Sequence, residues 1–303
     1  MKKHKLNSSR KGLRNSVEWG MHTLFLVCGV IAIAFVLLIS IYLIVAGLPA
    51  IRAVGMKEFL FGTQWASTHK TDPRFGILPF ILTSVYGTAG AILVGVPIGF
   101  LTAVFLAKVA PPKLAAVVRP AVDLLAGIPS VVYGLVGMIV LVPAIRKVFD
   151  LPAGDSLLAA IIVLAVMILP SIISVSENAL KAVPKEYEEA SLALGATEIE
   201  TYFRVSTPAA KSGIAAAVVL GVGRAIGEAM AILMVAGNAA NMPSLLSSVK
   251  FLTTAIASEM SYASVGSLQR NALFSIGLVL FLFIMAINVL LNVLLKRDKG
   301  GNV

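Results

Sequence analysis

Six long apolar stretches constrain what this chain can fold into more than any other feature of its sequence. A helix that crosses a bilayer needs about 20 mostly apolar residues, and each stretch is long enough. The chain is 58% hydrophobic and 13% charged, whereas about 25% of the residues in a soluble domain are charged. We therefore predict an all-α polytopic membrane protein and exclude a soluble enzyme. The predicted spans are residues 24–48, 78–107, 117–142, 157–180, 214–236 and 273–295.

The basic residues are divided unevenly between the two sides of these spans. Six spans place both termini on one side, and that side holds roughly twice as many Lys and Arg residues as the other. Because cytoplasmic loops carry this excess, we expect both termini in the cytoplasm. The chain then divides into a basic leader (1–23), a transmembrane domain (24–295) and a short tail (296–303). Topology accounts for most of the net charge of +10, so we expect no nucleic-acid partner.

The loop at residues 181–213 is polar, although it connects two predicted spans. Pro184 ends the fourth span, because proline lacks an amide hydrogen and disfavours a helical residue before it. Residues 185–194 have the pattern of a short amphipathic helix, Gly195 suits a left-handed turn, and Thr197 suits the N-cap of a second helix. The loop is rich in glutamate and so is poorly matched to an anionic lipid surface. We predict that it docks on a soluble partner.

This loop resembles the EAA motif of ABC-importer permeases. In that motif Glu-Ala-Ala is followed, after three residues, by Gly and later by Ile-x-Leu-Pro. Here Glu189, Ala190 and Ser191 occupy the first three positions, and Gly195 follows at the same spacing. Residues 205–208 read Val-Ser-Thr-Pro. The spacing is kept throughout, while Ser replaces the second Ala, Val replaces Ile and Thr replaces Leu.

Most of the chain after the leader is similar to the PstC-type permease subunits of high-affinity phosphate importers. The sister PstA-type subunit shares several of the matching motifs, and the segment that carries Trp65 favours the C-type. The stretches that carry the similarity are residues 74–80, 95–99, 127–134 and 221–228, together with Asn288 in the last span.

The resemblance implies a type I ABC importer permease fold with six transmembrane helices in a prokaryotic cell membrane. The chain would form half of a pore with a PstA-type sister permease, and an extracytoplasmic phosphate-binding protein would deliver the anion to the outer segments 51–72 and 241–270. An ATP-binding cassette ATPase dimer would use ATP and Mg²⁺ and would bind the loop. The residues implied in this coupling are Glu189, Ala190, Ser191 and Gly195.

The sequence itself contains no nucleotide-binding motif of the form G-x-x-x-x-G-K-[ST]. Its three His residues are scattered and its single Cys lies in an apolar run, so no metal-ligand spacing is present. We therefore expect no catalytic residue, no metal and no cofactor in this chain, and contacts with membrane lipid around the spans.

Two charged residues, Arg224 and Glu228, lie within the predicted fifth span. A charge at that depth costs about 2.5–3.5 kcal/mol on insertion scales, so both side chains should face a cavity or a partner. A guanidinium matches phosphate oxygens well, and we predict that Arg224 contacts phosphate in transit. Glu228 would orient Arg224 or moderate its attraction; the alternative is a structural ion pair. The resemblance favours a functional role, since the family carries an Arg and an acidic residue at these positions.

Ser130 is a weaker candidate for the pore wall. It follows Pro129, which frees backbone groups and permits a kink in a membrane helix. A hydroxyl at this position can line a pore, and it can equally belong to a kinked packing site.

Other functions are compatible with the same residues. An ion-coupled secondary anion transporter could use Arg224 and Glu228, but it would need inverted repeats or paired broken helices, and no internal repeat is evident. A membrane scaffold could recruit a partner through the loop without any transport. Within the importer interpretation, sulfate or molybdate could replace phosphate, since a pore offers these anions similar groups.

Overall fold

A computed structural model of the chain describes residues 3–69 and 71–297, and the side chains of 18–69, 71–291 and 293. The fold is almost entirely helical in this part of the chain. The helices are α1 (Lys3–Val54), α2 (Met56–Phe61), α3 (Leu78–Val109), α4 (Pro112–Gly127), α5 (Ser130–Val148), α6 (Leu157–Lys181), α7 (Lys185–Ala193), α8 (Glu198–Ala209), α9 (Lys211–Gly227), α10 (Met230–Val235), α11 (Leu252–Glu259) and α12 (Leu268–Arg297). Strands β1 (Trp65–Ala66) and β2 (Arg74–Phe75) form a small antiparallel hairpin.

Among the described residues, five helices are long and apolar enough to cross a membrane, and a sixth span results if α8 and α9 are taken together. These two helices are bent by 74° relative to each other, so this sixth candidate is a broken span whose first part, α8, also belongs to the preceding loop. The prediction of an all-α polytopic membrane protein is confirmed. The predicted leader is continuous with the first span in α1, and most of the predicted tail, 296–303, lies outside the described residues.

The predicted third span, residues 117–142, is wrong as a single helix. α4 ends at Gly127 and α5 begins at Ser130. Ile128 between them is extended, with φ −70° and ψ 127°, because the ring of Pro129 disfavours a helical residue before it. The helix long enough to span the membrane here is α5, which continues to Val148.

The predicted fifth span, residues 214–236, is also broken. α9 ends at Gly227, and Glu228 is extended, with φ −71° and ψ 129°. The Glu228 carboxylate accepts a hydrogen bond from the Ala231 N–H at 3.0 Å, while Thr253 Oγ1 donates to the Glu228 carbonyl at 2.8 Å. These bonds stabilise the break, since a side chain that binds nearby backbone competes with a continuous helix.

α6 is the central helix of the bundle, and 56% of its most apolar stretch is buried inside the protein. α3 and α9 pack on it at places where glycine permits close approach. A Cβ on Gly99 of α3 would lie 2.8 Å from Ile172 of α6, and one on Gly221 of α9 would lie 3.2 Å from the same side chain. Ile172 is therefore held between two neighbouring helices.

The two ends of the bundle have separate apolar clusters. At one end, which we call the hairpin end, the β-hairpin packs with α2, α11 and the start of α12 around Phe59, Phe80 and Leu252. At the other, which we call the loop end, Val104, Leu180 and neighbouring residues pack beneath the loop formed by α7 and α8. α1 contacts α12 near the hairpin end through Tyr42, Gly47 and their neighbours, while its earlier apolar side chains are exposed.

Candidate functional site

Arg224 lies in the last turn of α9 and is half-buried. Its guanidinium makes no hydrogen bond or ion pair with any residue that the structure describes. The Tyr133 side chain of α5 is close enough for the positive charge of Arg224 to act on it. Arg224 is thus a cation in the last turn of a largely apolar helix, and its charge is not neutralised within this part of the chain.

The predicted pairing of Glu228 with Arg224 is not found among the described residues. The prediction assumed that both residues share one face of a continuous helix, but α9 ends at Gly227. The Glu228 carboxylate instead accepts the Ala231 N–H beyond the break. The Glu228 carboxylate is therefore bound to the first turn of α10, and no ion pair joins it to Arg224 among the described residues.

The two helix breaks are brought together by packing between α5 and α10. A Cβ on Gly134 would lie 2.9 Å from the Ala231 Cα, so the two short segments that follow the breaks are in close contact. Tyr133 OH donates to the Leu125 carbonyl at 2.7 Å and satisfies an acceptor at the end of α4. Ser130, half-buried, begins α5 directly after the first break.

The loop between α6 and α9 folds as two short helices joined by a tight turn. Gly195 has φ +88°, a left-handed conformation that glycine adopts without a Cβ penalty. The prediction that Thr197 caps the second helix is confirmed: Glu200 N donates to Thr197 Oγ1 at 3.3 Å, and Thr197 N donates to Glu200 Oε2 at 3.1 Å. The backbone and hydroxyl hydrogen bonds from Thr197 lower the pKa of the Glu200 carboxyl.

The four residues matched to the EAA motif have two different environments. Glu189, Ala190 and Gly195 are exposed on the outer side of the loop. Ser191 is half-buried, and its hydroxyl lies 2.9 Å from the Oγ1 of Thr201, which is buried. The serine that departs from the motif thus makes a hydrogen bond that joins α7 to α8, a contact that alanine would lack.

The loop also exposes large apolar side chains. Leu194 is 91% exposed and Ile199 is 68% exposed, and Tyr187 and Leu192 are exposed nearby. Apolar groups on a polar, glutamate-rich surface commonly mark a protein contact. The surface formed by these residues and the exposed motif residues has the chemistry of a docking site.

The hairpin end contains a buried carboxylate that the sequence did not predict. Glu259 accepts hydrogen bonds from Trp65 Nε1 at 3.0 Å, Ser67 Oγ at 2.9 Å and Lys250 Nζ at 2.6 Å. Trp65 and Glu259 are far apart in the chain, so no local pattern indicates this network. It fixes the β-hairpin on α11 and gives Trp65 a definite structural role.

Within the described residues, no group of three or more His, Cys, Asp and Glu side chains could hold a metal ion. Sequence reasoning also missed Thr253, Lys108 and Glu188. Thr253 donates a hydrogen bond to the carbonyl of Glu228, which lies in another segment, and Lys108 and Glu188 form an ion pair although they are 80 residues apart. The glutamate-rich composition of the loop was the one local signal for Glu188.

Comparisons with known proteins match most of the chain. The model of a family described as "Binding-protein-dependent transport system inner membrane component" matches residues 95–297. The chain is 44% identical over 270 residues to the "Probable ABC transporter permease protein YqgH" of Bacillus subtilis, covering 87% of each. It is 34% identical over 289 residues to the "Phosphate transport system permease protein PstC" of Haemophilus influenzae, covering 88% of this chain and 89% of that protein. The PstC of Pasteurella multocida is 34% identical over 266 residues, with 80% and 82% coverage.

Solved structures share the fold at lower sequence identity. An inward-facing structure of the MetNI methionine ABC transporter aligns with a TM-score of 0.59 and 21% identity, covering 73% of this chain and 95% of that one. An amino acid ABC transporter aligns with a TM-score of 0.51 and 19% identity, covering 73% and 92%. The helical arrangement is therefore that of an ABC importer permease.

Proposed function

The chain belongs to the family of binding-protein-dependent transport system inner membrane components, and from this premise we propose that it is the PstC-type permease subunit of an ATP-driven importer of inorganic phosphate. Relatives named as phosphate permeases align over most of the chain, which supports phosphate over sulfate or molybdate. The observation that carries the proposal is the unneutralised guanidinium of Arg224 beside a helix break.

Arg224 has the chemistry needed for brief contact with a phosphate ion. Its planar guanidinium can donate two parallel hydrogen bonds to phosphate oxygens. Within the described residues no carboxylate is paired with it, so an entering anion does not have to displace a counter-ion. An arginine that is only half-buried also keeps part of its hydration, which favours release over trapping.

The helix breaks support a pore at this position. Backbone that is not helical is tolerated at membrane depth only where it is buried in protein or lines a water-filled cavity. One side of α9 is open: a Cβ on Gly223 or Gly227 would meet no atom within 4 Å. We propose that this face meets the PstA-type sister permease across the pore, with Ser130 and Glu228 close to the anion's route.

The exposed surface of α7 and α8 is proposed as the site where the ATPase dimer binds. Glu189, Ala190 and Gly195 would contact the ATPase directly, while Ser191 holds α7 on α8. The chain itself would catalyse no reaction, and ATP and Mg²⁺ would be bound and used by the ATPase subunits. In this arrangement the loop end is cytoplasmic, together with both termini.

The hairpin end would then face the outside of the cell. The β-hairpin, α2 and α11 would offer a rigid surface to the phosphate-binding protein, since the Glu259 network fixes these elements. Around the bundle, the exposed apolar side chains of α1 would contact lipid. The leader (1–23), permease domain (24–295) and tail (296–303) are retained as a proposed division of the chain.

The ion-coupled alternative is less well supported. The structure does contain paired broken helices, which such a transporter requires. However, the chain's relatives include named ABC permeases, and the loop has a surface suited to a soluble partner. Breaks of this kind serve an anion pore in either mechanism, so the breaks alone do not favour ion coupling.

The experiment that tests the proposal is anion uptake into vesicles that contain this chain, the sister permease and the ATPase, with the binding protein added outside. We expect labelled phosphate to be taken up only when ATP and the binding protein are present. An excess of sulfate or molybdate should not change the rate of this uptake. Uptake driven by an ion gradient without ATPase would contradict the importer mechanism, and uptake of sulfate or molybdate in place of phosphate would contradict the assigned anion.

A further inference from the structure

A charged pair connects the loop to α3 at the loop end of the bundle. Lys108 Nζ forms an ion pair with Glu188 Oε1, and the two side chains are only 10% and 19% exposed. Glu188 lies on the inner face of α7, beside the exposed Glu189 of the motif. The pair is well shielded compared with the exposed Arg74–Asp72 pair at the hairpin end, and shielded pairs are weakened less by solvent and salt.

Two π-helical turns meet at the pair. One turn, Phe105–Val109, ends α3 and contains Lys108; the other, Tyr202–Ser206, lies in α8. Ser206 Oγ donates to Glu188 Oε1 at 2.8 Å, and Tyr202 OH donates to the Lys108 carbonyl at 3.4 Å. The first turn thus supplies the lysine of the pair, and the second turn binds both members, Glu188 through its carboxylate and Lys108 through its backbone carbonyl. π-Helical turns occur frequently at functional sites.

Further hydrogen bonds extend from the first π-helical turn into the bundle. Arg119 of α4 donates to the Leu106 carbonyl at 3.1 Å and forms an ion pair with Glu177 of α6 at 2.5 Å. Lys181 forms a second ion pair with Glu177 at 2.6 Å. The end of α3 is therefore attached on one side to the loop and on the other to α4, which Arg119 in turn joins to α6.

The tightly packed helices continue this connection toward Arg224. Ile172 of α6 is held between Gly99 of α3 and Gly221 of α9, and Gly221 lies one helical turn before Arg224. Close-packed interiors deform little and transmit displacement. A movement of α3 at its π-helical turn would therefore reach α9 through Ile172.

We propose that Lys108 and Glu188 transmit the movement of the loop to α3, and so couple ATP hydrolysis in the partner subunits to phosphate passage at Arg224. This inference rests on the proposed function. Both are positioning residues: neither contacts ATP or the pore. Through this ion pair, a displacement of α7 is passed to the end of α3. The exposed residues of α7 could not do this, because they do not contact α3.

The test uses the complete transporter in vesicles and compares the wild type with Lys108→Met, Glu188→Met and the charge-swapped Lys108→Glu/Glu188→Lys chain. Methionine keeps a long unbranched side chain while it removes the charge. Lys113→Met is the matched control, because Lys113 is exposed at the start of α4. Three quantities are measured: phosphate uptake, ATP hydrolysis stimulated by the binding protein, and the amount of assembled complex.

We expect each single methionine variant to assemble but to lose about tenfold in phosphate taken up per ATP hydrolysed, a loss within the usual range of coupling between sites. The charge-swapped chain should recover most of this ratio, and Lys113→Met should resemble the wild type. If a single variant fails to assemble, recovery of both assembly and uptake in the swapped chain supports the proposal.

The proposal is overturned if the single variants match Lys113→Met, or if the swapped chain performs no better than the singles. A different result tests the function itself. A wild-type complex that assembles but takes up no phosphate contradicts the proposed importer, whatever the variants do.

Discussion

Arg224 has a guanidinium that no described residue neutralises, although it lies in a helix set among membrane spans. The sequence indicated this residue, because a charge at membrane depth is costly and is usually retained for function. Glu228, which the sequence offered as a residue that orients Arg224 or moderates its attraction, accepts the Ala231 N–H and forms no ion pair with Arg224 among the described residues. The spacing of four residues implies a shared helical face only if the helix continues, and here it ends between the two residues.

Gly195 offers a direct test of the loop at the scale of one residue. Its φ of +88° costs an L-residue about 1–2 kcal/mol, and no atom lies within 4 Å of the position a Cβ would take. We expect Gly195→Ala to weaken co-purification of the ATPase and Gly195→Asn to weaken it less, since asparagine tolerates this conformation. Gly29→Ala, in the exposed part of α1, is the control. Equal binding by Gly195→Ala and Gly29→Ala would contradict a requirement for the left-handed turn.

The helix breaks are the elements that distinguish this bundle from six simple spans. Pro129 indicated that the helix could be kinked at the first break, although the predicted span continued through this position. The second break has no proline, and it depends on hydrogen bonds from Ala231 and from Thr253 to Glu228. The bond from Ala231 is local, but the bond from Thr253 forms only when a segment 25 residues away packs on the break, so the local sequence pattern could not reveal it.

The hydroxyl of Thr253 should therefore contribute to the stability of the second break. Thr253→Val removes the donor to the half-buried Glu228 carbonyl, and the loss of one such hydrogen bond costs about 0.5–1.5 kcal/mol. Thr102→Val is the matched control, because Thr102 donates to the Ile98 carbonyl within a regular stretch of α3. We expect a lower thermal midpoint for Thr253→Val than for Thr102→Val in detergent. Equal midpoints would show that the hydroxyl does not stabilise the break.

The start of α8 gives a pH-dependent prediction. Because hydrogen bonds from Thr197 lower the pKa of Glu200 in the folded loop, the cap contributes stability above the unfolded carboxyl pKa. That contribution is lost as the pH falls through the lower folded value. Selective ¹³C labelling of glutamate in the solubilised chain should show Glu200 titrating below an ordinary glutamate, and Thr197→Ala should raise its pKa. An unchanged titration in Thr197→Ala would contradict the capping assignment.

The family resemblance predicted more of the whole molecule than any residue pattern did. Apolar length and charge gave the membrane class and the polar loop, and the resemblance gave the permease fold, which the comparisons confirm. The Glu259 network and the Lys108–Glu188 pair link residues 194 and 80 positions apart, respectively. No single window of sequence contains both partners of either interaction, which is why these links could be identified only from the structure.

In the complete transporter, this one chain would take part in three steps. Phosphate would be delivered at the hairpin end and would pass beside the helix breaks, and its passage would be coupled to ATP hydrolysis at the loop end. The open face of α9 at Gly223 and Gly227 is where the sister permease would complete the pore. Arg224 lies on this same helix, so the proposed phosphate route depends more on its side chain than on any other single residue.

The most direct measurement is ATP-dependent phosphate uptake into vesicles containing the whole transporter, with Arg224→Gln compared with wild type and with Arg146→Gln. Arg146 is exposed on α5 and serves as the matched control. We predict that Arg224→Gln assembles normally and takes up phosphate at least about tenfold more slowly, the loss expected when one charge-assisted contact is removed, while Arg146→Gln is unaffected. Uptake by Arg224→Gln at the wild-type rate would show that Arg224 has no role in phosphate passage.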